Sequence, residues 1–177
     1  RVVGVLPEMR SSLDWYARYV RPDGLMGTTP GWEFIDWRPG LDNFTATKDP
    51  ADTDHCIISL MYIGALKQAG DLEAALGDPG RASDNRARAD RMADAVRSQC
   101  WSAERNMFAD QPAKTSFSQH ANVLAVIYDV APRDRQKALL ESVLLPGQWP
   151  QAPEGVTPAT FYFDFYLARA LDHAGMG

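Results

Sequence analysis

The sequence predicts an all-α chain in which one-sided and all-round apolar helices take turns, the pattern of a double-layered helical toroid. Three observations carry that expectation. The apolar period is helical throughout, and no segment alternates with period two over a useful length. Segments with a single apolar stripe alternate with segments that are apolar around most of their circumference. The connections alternate too, between short plain turns and long loops rich in tryptophan.

The first helix is expected over about Glu8 to Val20, with Met9, Leu13, Tyr16 and Val20 on one stripe and Arg10, Asp14, Arg18 and Arg21 off it. Pro7 precedes it and Pro22-Asp23-Gly24 ends it. The second, about Ala51 to Ala69, carries Cys56, Ile57, Ile58, Leu60, Met61, Tyr62, Ile63 and Leu66 on most of its sides, so it must be buried nearly all round. The third, about Ser83 to Cys100, is one-sided again: Ala89, Met92, Ala93, Val96 and Cys100 face in. A fourth, about Ser118 to Val130, is apolar nearly throughout; a short one-sided helix follows from Arg133 to about Leu144. The last, about Pro158 to Ala174, is heavily apolar and aromatic. The order is outer, inner, outer, inner, outer, inner.

Connections from an inner to an outer helix are short, whereas residues 21–50, 101–117 and 145–157, which lead from outer to inner, are long. In an up-down stack these three loops emerge on one face. They hold Trp32, Trp37, Trp101 and Trp149, four of the five tryptophans. Long loops gathered at one end of a rigid scaffold are where function usually sits.

Within them, Gly31-Trp32-Glu33-Phe34-Ile35-Asp36-Trp37 sets two indoles and two carboxylates inside a Pro/Gly-bounded loop. Indole faces stack on the C–H faces of sugar rings, and carboxylates accept hydrogen bonds from sugar hydroxyls or move protons at a glycosidic oxygen. A folding core has little use for Glu33 and Asp36, because a buried unpaired carboxylate is expensive. The alternative is an aromatic plug at a helix end with Asp36 as a buried acceptor. At the start of the fourth helix, Gln119, His120 and Asn122 point donors and acceptors toward the same face, either for ligand contact or for hydrogen bonding of the loops themselves. Asp52 and Asp54 read as first-turn caps, and His173 as a partner for a helix C-terminus or an exposed side chain.

Composition removes other classes. The net charge is −5 with no run of like charges, which argues against nucleic acid or an anionic membrane as partner. No apolar run approaches the roughly 18 residues of a spanning helix. No zinc constellation, calcium loop, phosphate-cradling glycine loop, dinucleotide fingerprint or nucleophile elbow is present, so no cofactor or metal is expected. Cys56 and Cys100 lie in helical patterns and are expected as buried free thiols. The chain opens on Arg1 rather than Met, the mark of a trimmed piece, and residues 1–177 are expected to form a single all-α segment. Compartment is left open.

Three pieces of the chain resemble the catalytic domain of bacterial α-L-rhamnosidases, glycoside hydrolase family 78. Trp32-Glu33-Phe34-Ile35-Asp36-Trp37 resembles the family's aromatic-Asp-Trp loop. Ser118-Gln119-His120-Ala121-Asn122-Val123-Leu124-Ala125 resembles its S/T-Q-x-A-N-A-L-A helix start. Thr157-Pro158 through Phe165-Tyr166-Leu167 to Leu171-Asp172-His173-Ala174-Gly175 completes the order. The resemblance implies an (α/α)6 barrel of the six-hairpin type, of which these helices are about half. It implies inverting hydrolysis of a terminal α-L-rhamnoside, with Asp36 and Trp37, and beside them Trp32, Gln119 and His120, contacting sugar. If the resemblance does not extend to the missing segments, Glu33 or Asp36 is itself the candidate acid or base; the alternatives are a six-hairpin glycosidase of other sugar specificity and a non-catalytic helical module binding sugar or protein through the long-loop face. The family's acidic cluster and late glutamate have no counterpart here and would lie upstream of Arg1 and beyond Gly177. An incomplete barrel is also expected to associate with another copy or with its missing half.

Overall fold

In a computed structural model the chain is described over residues 2–30, 34–37 and 55–177. After a 3-10 turn at Val2–Val5, the helices are α1 (Leu6–Ala17), α2 (His55–Leu76), α3 (Pro79–Cys100), α4 (Gln119–Ile127), α5 (Gln136–Val143) and α6 (Asp164–His173). Between α3 and α4 lies a hairpin of two very short antiparallel strands, β1 (Trp101–Ser102) and β2 (Met107–Phe108). The sequence reading contained no strand, because two residues cannot establish a period.

Burial follows the expected alternation for most helices. All nine residues of α4 are buried, and α2 hides Cys56, Ile57, Leu60, Ile63 and Leu66 completely. The outer helices α3 and α5 bury one stripe each: Ala82, Ala89, Met92, Ala93, Val96 and Cys100 in the first, Leu139, Leu140 and Val143 in the second. Helix α6 departs from the pattern. It buries only Leu167 and Ala170, while Phe161 just before it is 92% exposed and Phe165 is 64% exposed. One side of α6 rests on α4 and its other side is open. The opposite flank, between α1 and α2, is an apolar groove of about 640 Å³ lined by Met9, Tyr16, Ile58, Met61 and Leu72 among others. Among the described residues, the helices thus form a sector of a toroid with two edges left uncovered.

Local chemistry sets the helix ends. Asp78 caps α3 by accepting from the Arg81 amide at 3.0 Å, with Pro79 in the first turn, where its missing N–H has no intrahelical bond to lose. That cap starts α3 earlier than the expected Ser83. Helix α2 continues through Gly70 to Leu76, beyond the end at about Ala69 that the sequence predicts. A Cβ at Gly70 would meet the Ala82 carbonyl at 3.3 Å and Arg86 Cγ at 3.2 Å, so this glycine marks close helix approach rather than a stop. Gly64 does the same against α4: a Cβ would lie 2.1–2.6 Å from ring atoms of Tyr128.

The cysteines require a correction. Both are fully buried, as expected, but they are joined in a disulfide rather than free. The reason is topological. Antiparallel α2 and α3 place the first turn of one beside the last turn of the other, and the Cα atoms stand 6.2 Å apart, within bridging reach.

Candidate functional site

The long connections meet at the N-terminal ends of α2, α4 and α6. The Cys56 amide donates to the Asp110 carbonyl, the Gln119 amide to Thr157 and the Thr157 amide to Phe117. Met26, in the first long loop, donates its amide to Ser59 Oγ on α2 at 2.9 Å. These bonds gather all three loops at one rim.

Asp36 is the centre of that rim. Its carboxylate is fully buried and accepts four hydrogen bonds. Oδ1 takes the Trp37 amide at 2.7 Å and the Thr160 hydroxyl; Oδ2 takes His120 Nε2 at 2.7 Å and the Thr160 amide at 2.8 Å. A carboxylate offers about four lone-pair positions, so none is left over. Burial pushes the Asp36 pKa up, but the His120 and Thr160 hydrogen bonds and the nearby imidazole charge outweigh it and hold the value at about 2.

The other polar groups of the rim are equally enclosed. Gln119 gives Nε2 to the carbonyls of Val143 (2.9 Å) and Pro150 (3.0 Å), and its Oε1 accepts the Ala159 amide at 2.7 Å. Asn122 ties the hairpin to α4 through both the N–H and the C=O of Phe108, at 2.8 and 3.0 Å. Ser118 caps α4 and donates to Asp110 Oδ1 at 2.6 Å. Burial raises the Asp110 pKa, with the Ser118 and Ser116 hydrogen bonds and the neighbouring His120 pulling the other way. The His120 ring packs on Phe163, centroids 4.4 Å apart, and its Nδ1 has no hydrogen-bond partner among the described residues.

Trp37 differs from these residues. Its side chain is 57% exposed, lies 4.8 Å from the Phe34 ring, and through Phe34 adjoins Tyr162. An exposed indole is thereby backed by two aromatic rings and anchored at its amide by Asp36.

Of the residues singled out from sequence, Asp36, Trp37, Gln119 and His120 come together at this rim. Asp36, Gln119 and His120 are buried there with protein partners, and only Trp37 presents a surface. Trp32, Glu33, Asp52 and Asp54 lie outside the described residues. Trp149 is exposed, Trp101 packs edge-on to Phe108, and His173 bonds Asp129 at 2.9 Å at the far end. Sequence reasoning missed Thr160, Asp110 and Phe163. Thr160 stands 124 positions from the carboxylate it serves, and no local signal marks it. Among the described residues no three His, Cys, Asp or Glu side chains are grouped to hold a metal ion, and no helix is long and apolar enough to cross a membrane.

Comparison with known proteins completes the picture. Residues 1–164 match the family described as mannosylglycerate hydrolase MGH1-like glycoside hydrolase domain. The chain belongs to this glycoside hydrolase family. Among solved structures, this glycoside hydrolase domain is similar to the GH78 family rhamnosidase of Bacillus sp. GL1, with a TM-score of 0.77 and 22% identity, covering 99% of this chain and 18% of that one. It is similar as well to a rhamnosidase from Klebsiella oxytoca with rhamnose bound, with a TM-score of 0.76 and 17% identity over 98% of this chain and 30% of that one. The rhamnosidase fold implied by the sequence motifs is therefore met across nearly the whole chain. At these identities the likeness is one of fold, and the chain spans less than a third of either relative. No curated protein matches it by sequence.

Proposed function

We propose that this chain is a single sector of the catalytic barrel of an inverting α-L-rhamnosidase, carrying part of the sugar-binding wall. The observation that supports it best is the exposed Trp37 indole, backed by Phe34 and fastened at the rim where all three long loops meet. Such a face suits the C–H side of a pyranose. Trp32 would extend the platform. Asp36, Gln119 and His120 hold the wall from behind, since their polar atoms are turned to the protein.

Hydrolysis with inversion needs a protonated carboxyl and a second carboxylate roughly 6.5–9.5 Å away, with room for water. Asp36 suits neither role: its pKa is about 2 and its lone pairs are taken. Glu33 is the remaining candidate from the motif. The acid and base are best sought in the parent protein outside this segment, and the isolated chain is expected to hydrolyse little or nothing.

Assaying the chain and its full-length parent against nitrophenyl glycosides tests the reading. Turnover of the α-L-rhamnoside by the parent alone is the expected result. Normal turnover by the 177-residue chain would refute the division of roles. A second reading, cleavage of a mannoside such as mannosylglycerate, is favoured by the matched family's description. Parent activity on the α-D-mannoside without the α-L-rhamnoside would select it.

A further inference from the structure

The imidazole of His120 is fully buried, has one hydrogen bond among the described residues, to Asp36, packs on the Phe163 ring and lies near the Asp110 carboxyl without bonding it. A fully buried ring with an unsatisfied Nδ1 carries a desolvation penalty that leucine or phenylalanine at this position would avoid. The bond that remains is therefore the chemical reason for a histidine here. Asp36 accepts only, so Nε2 must carry the proton between them. Through that proton α4 grips a carboxylate that also holds the Trp37 amide and the segment leading into α6. Three stretches of chain far apart in sequence are pinned by one side chain, and the exposed indole is the next residue along.

We propose that His120 is a positioning residue which, by way of Asp36, fixes the Trp37 indole at the rim in the orientation a sugar ring would meet. The inference rests on reading Trp37 as the sugar platform, and it explains why a buried pair sits directly behind an exposed aromatic. Glutamine places its amide nitrogen near the reach of histidine Nε2 and can donate the same bond. Leucine fills the space and cannot.

The indole N–H resonance of Trp37, assigned by its disappearance in Trp37→Phe, reports the position because the Phe34 ring lies 4.8 Å away and shifts it. In His120→Leu that resonance is expected to move toward the value of a solvated indole, while far-ultraviolet circular dichroism stays unchanged. In His120→Gln it should stay in place. An unmoved resonance in His120→Leu, or equal displacement in His120→Gln, overturns the proposal. Should His120→Leu fail to fold, Thr160→Val removes only the hydroxyl bond to the same carboxylate and is expected to displace the resonance part of the way; no displacement there overturns the proposal as well. Titrating the wild-type chain with rhamnose tests the sugar reading separately. A Trp37 signal that rhamnose leaves untouched refutes the platform, whereas the variants decide the anchoring by themselves.

Discussion

The two ends of this helical sector are built from different chemistry. At the rim, Asp36, Asp110, Ser118, Gln119, His120 and Asn122 are buried and bonded to backbone and side chains of other segments. At the opposite end most polar contacts are surface ion pairs, Asp129 with Arg133 and His173 and Asp78 with Arg81, while Glu73, held by two bonds from Arg10, and Gln136 are buried among them. Buried polar groups fix geometry because leaving one unpaired is costly; surface ion pairs of the second kind contribute little. The contrast explains how irregular loops can hold an exposed tryptophan in one place while the other end needs only short turns.

Substitutions at the two ends should separate by size. The largest effect is expected for Asn122→Leu, which strips buried hydrogen bonds from Phe108 and Ser118 and should destabilise the chain by about 3 kcal/mol or more in chemical denaturation. Asp36→Asn comes next and carries a pH signature. The folded pKa lies below the ordinary 3.8, so the carboxylate's contribution is fully present above about pH 4 and is lost as pH falls toward 2. That contribution is about 2 kcal/mol, and the stability gap between wild type and Asp36→Asn should narrow over this interval. A gap independent of pH would show that the carboxylate charge is not what matters. At the far end, Arg133→Ala, which removes one exposed ion pair to Asp129, should change stability by less than about 1 kcal/mol. A loss there equal to that of Asn122→Leu would erase the distinction between the ends.

Much of this arrangement is legible in the sequence because helices and their burial follow from period alone. The all-round apolar run from Val123 to Ile127 demanded a wholly enclosed helix, and α4 is one. Loop lengths foretold which end would carry the rim. What escaped notice depends on contacts between distant residues. Gly70 looked like a break because nothing local reveals that α3 leans on it. Residues 158–163 have helical composition but form an irregular stretch and then a turn at 161–163 before Asp164; the irregular part is held by bonds from Ala159 to Gln119 and from Thr160 to Asp36. Asp36 itself reads as a ligand group next to its aromatics. Only the folded chain brings His120 and Thr160 around it.

The Cys56–Cys100 bond closes 44 positions of chain into a covalent ring spanning the whole α2–α3 hairpin, with its knot at the rim. A protease that severs the exposed bend at Gly77 therefore releases nothing: both pieces stay tethered beside the rim and migrate as one species until a thiol reductant is added. The hairpin can be nicked at its outer tip and still keep its two helices in register where Asp110 and the first turn of α2 meet.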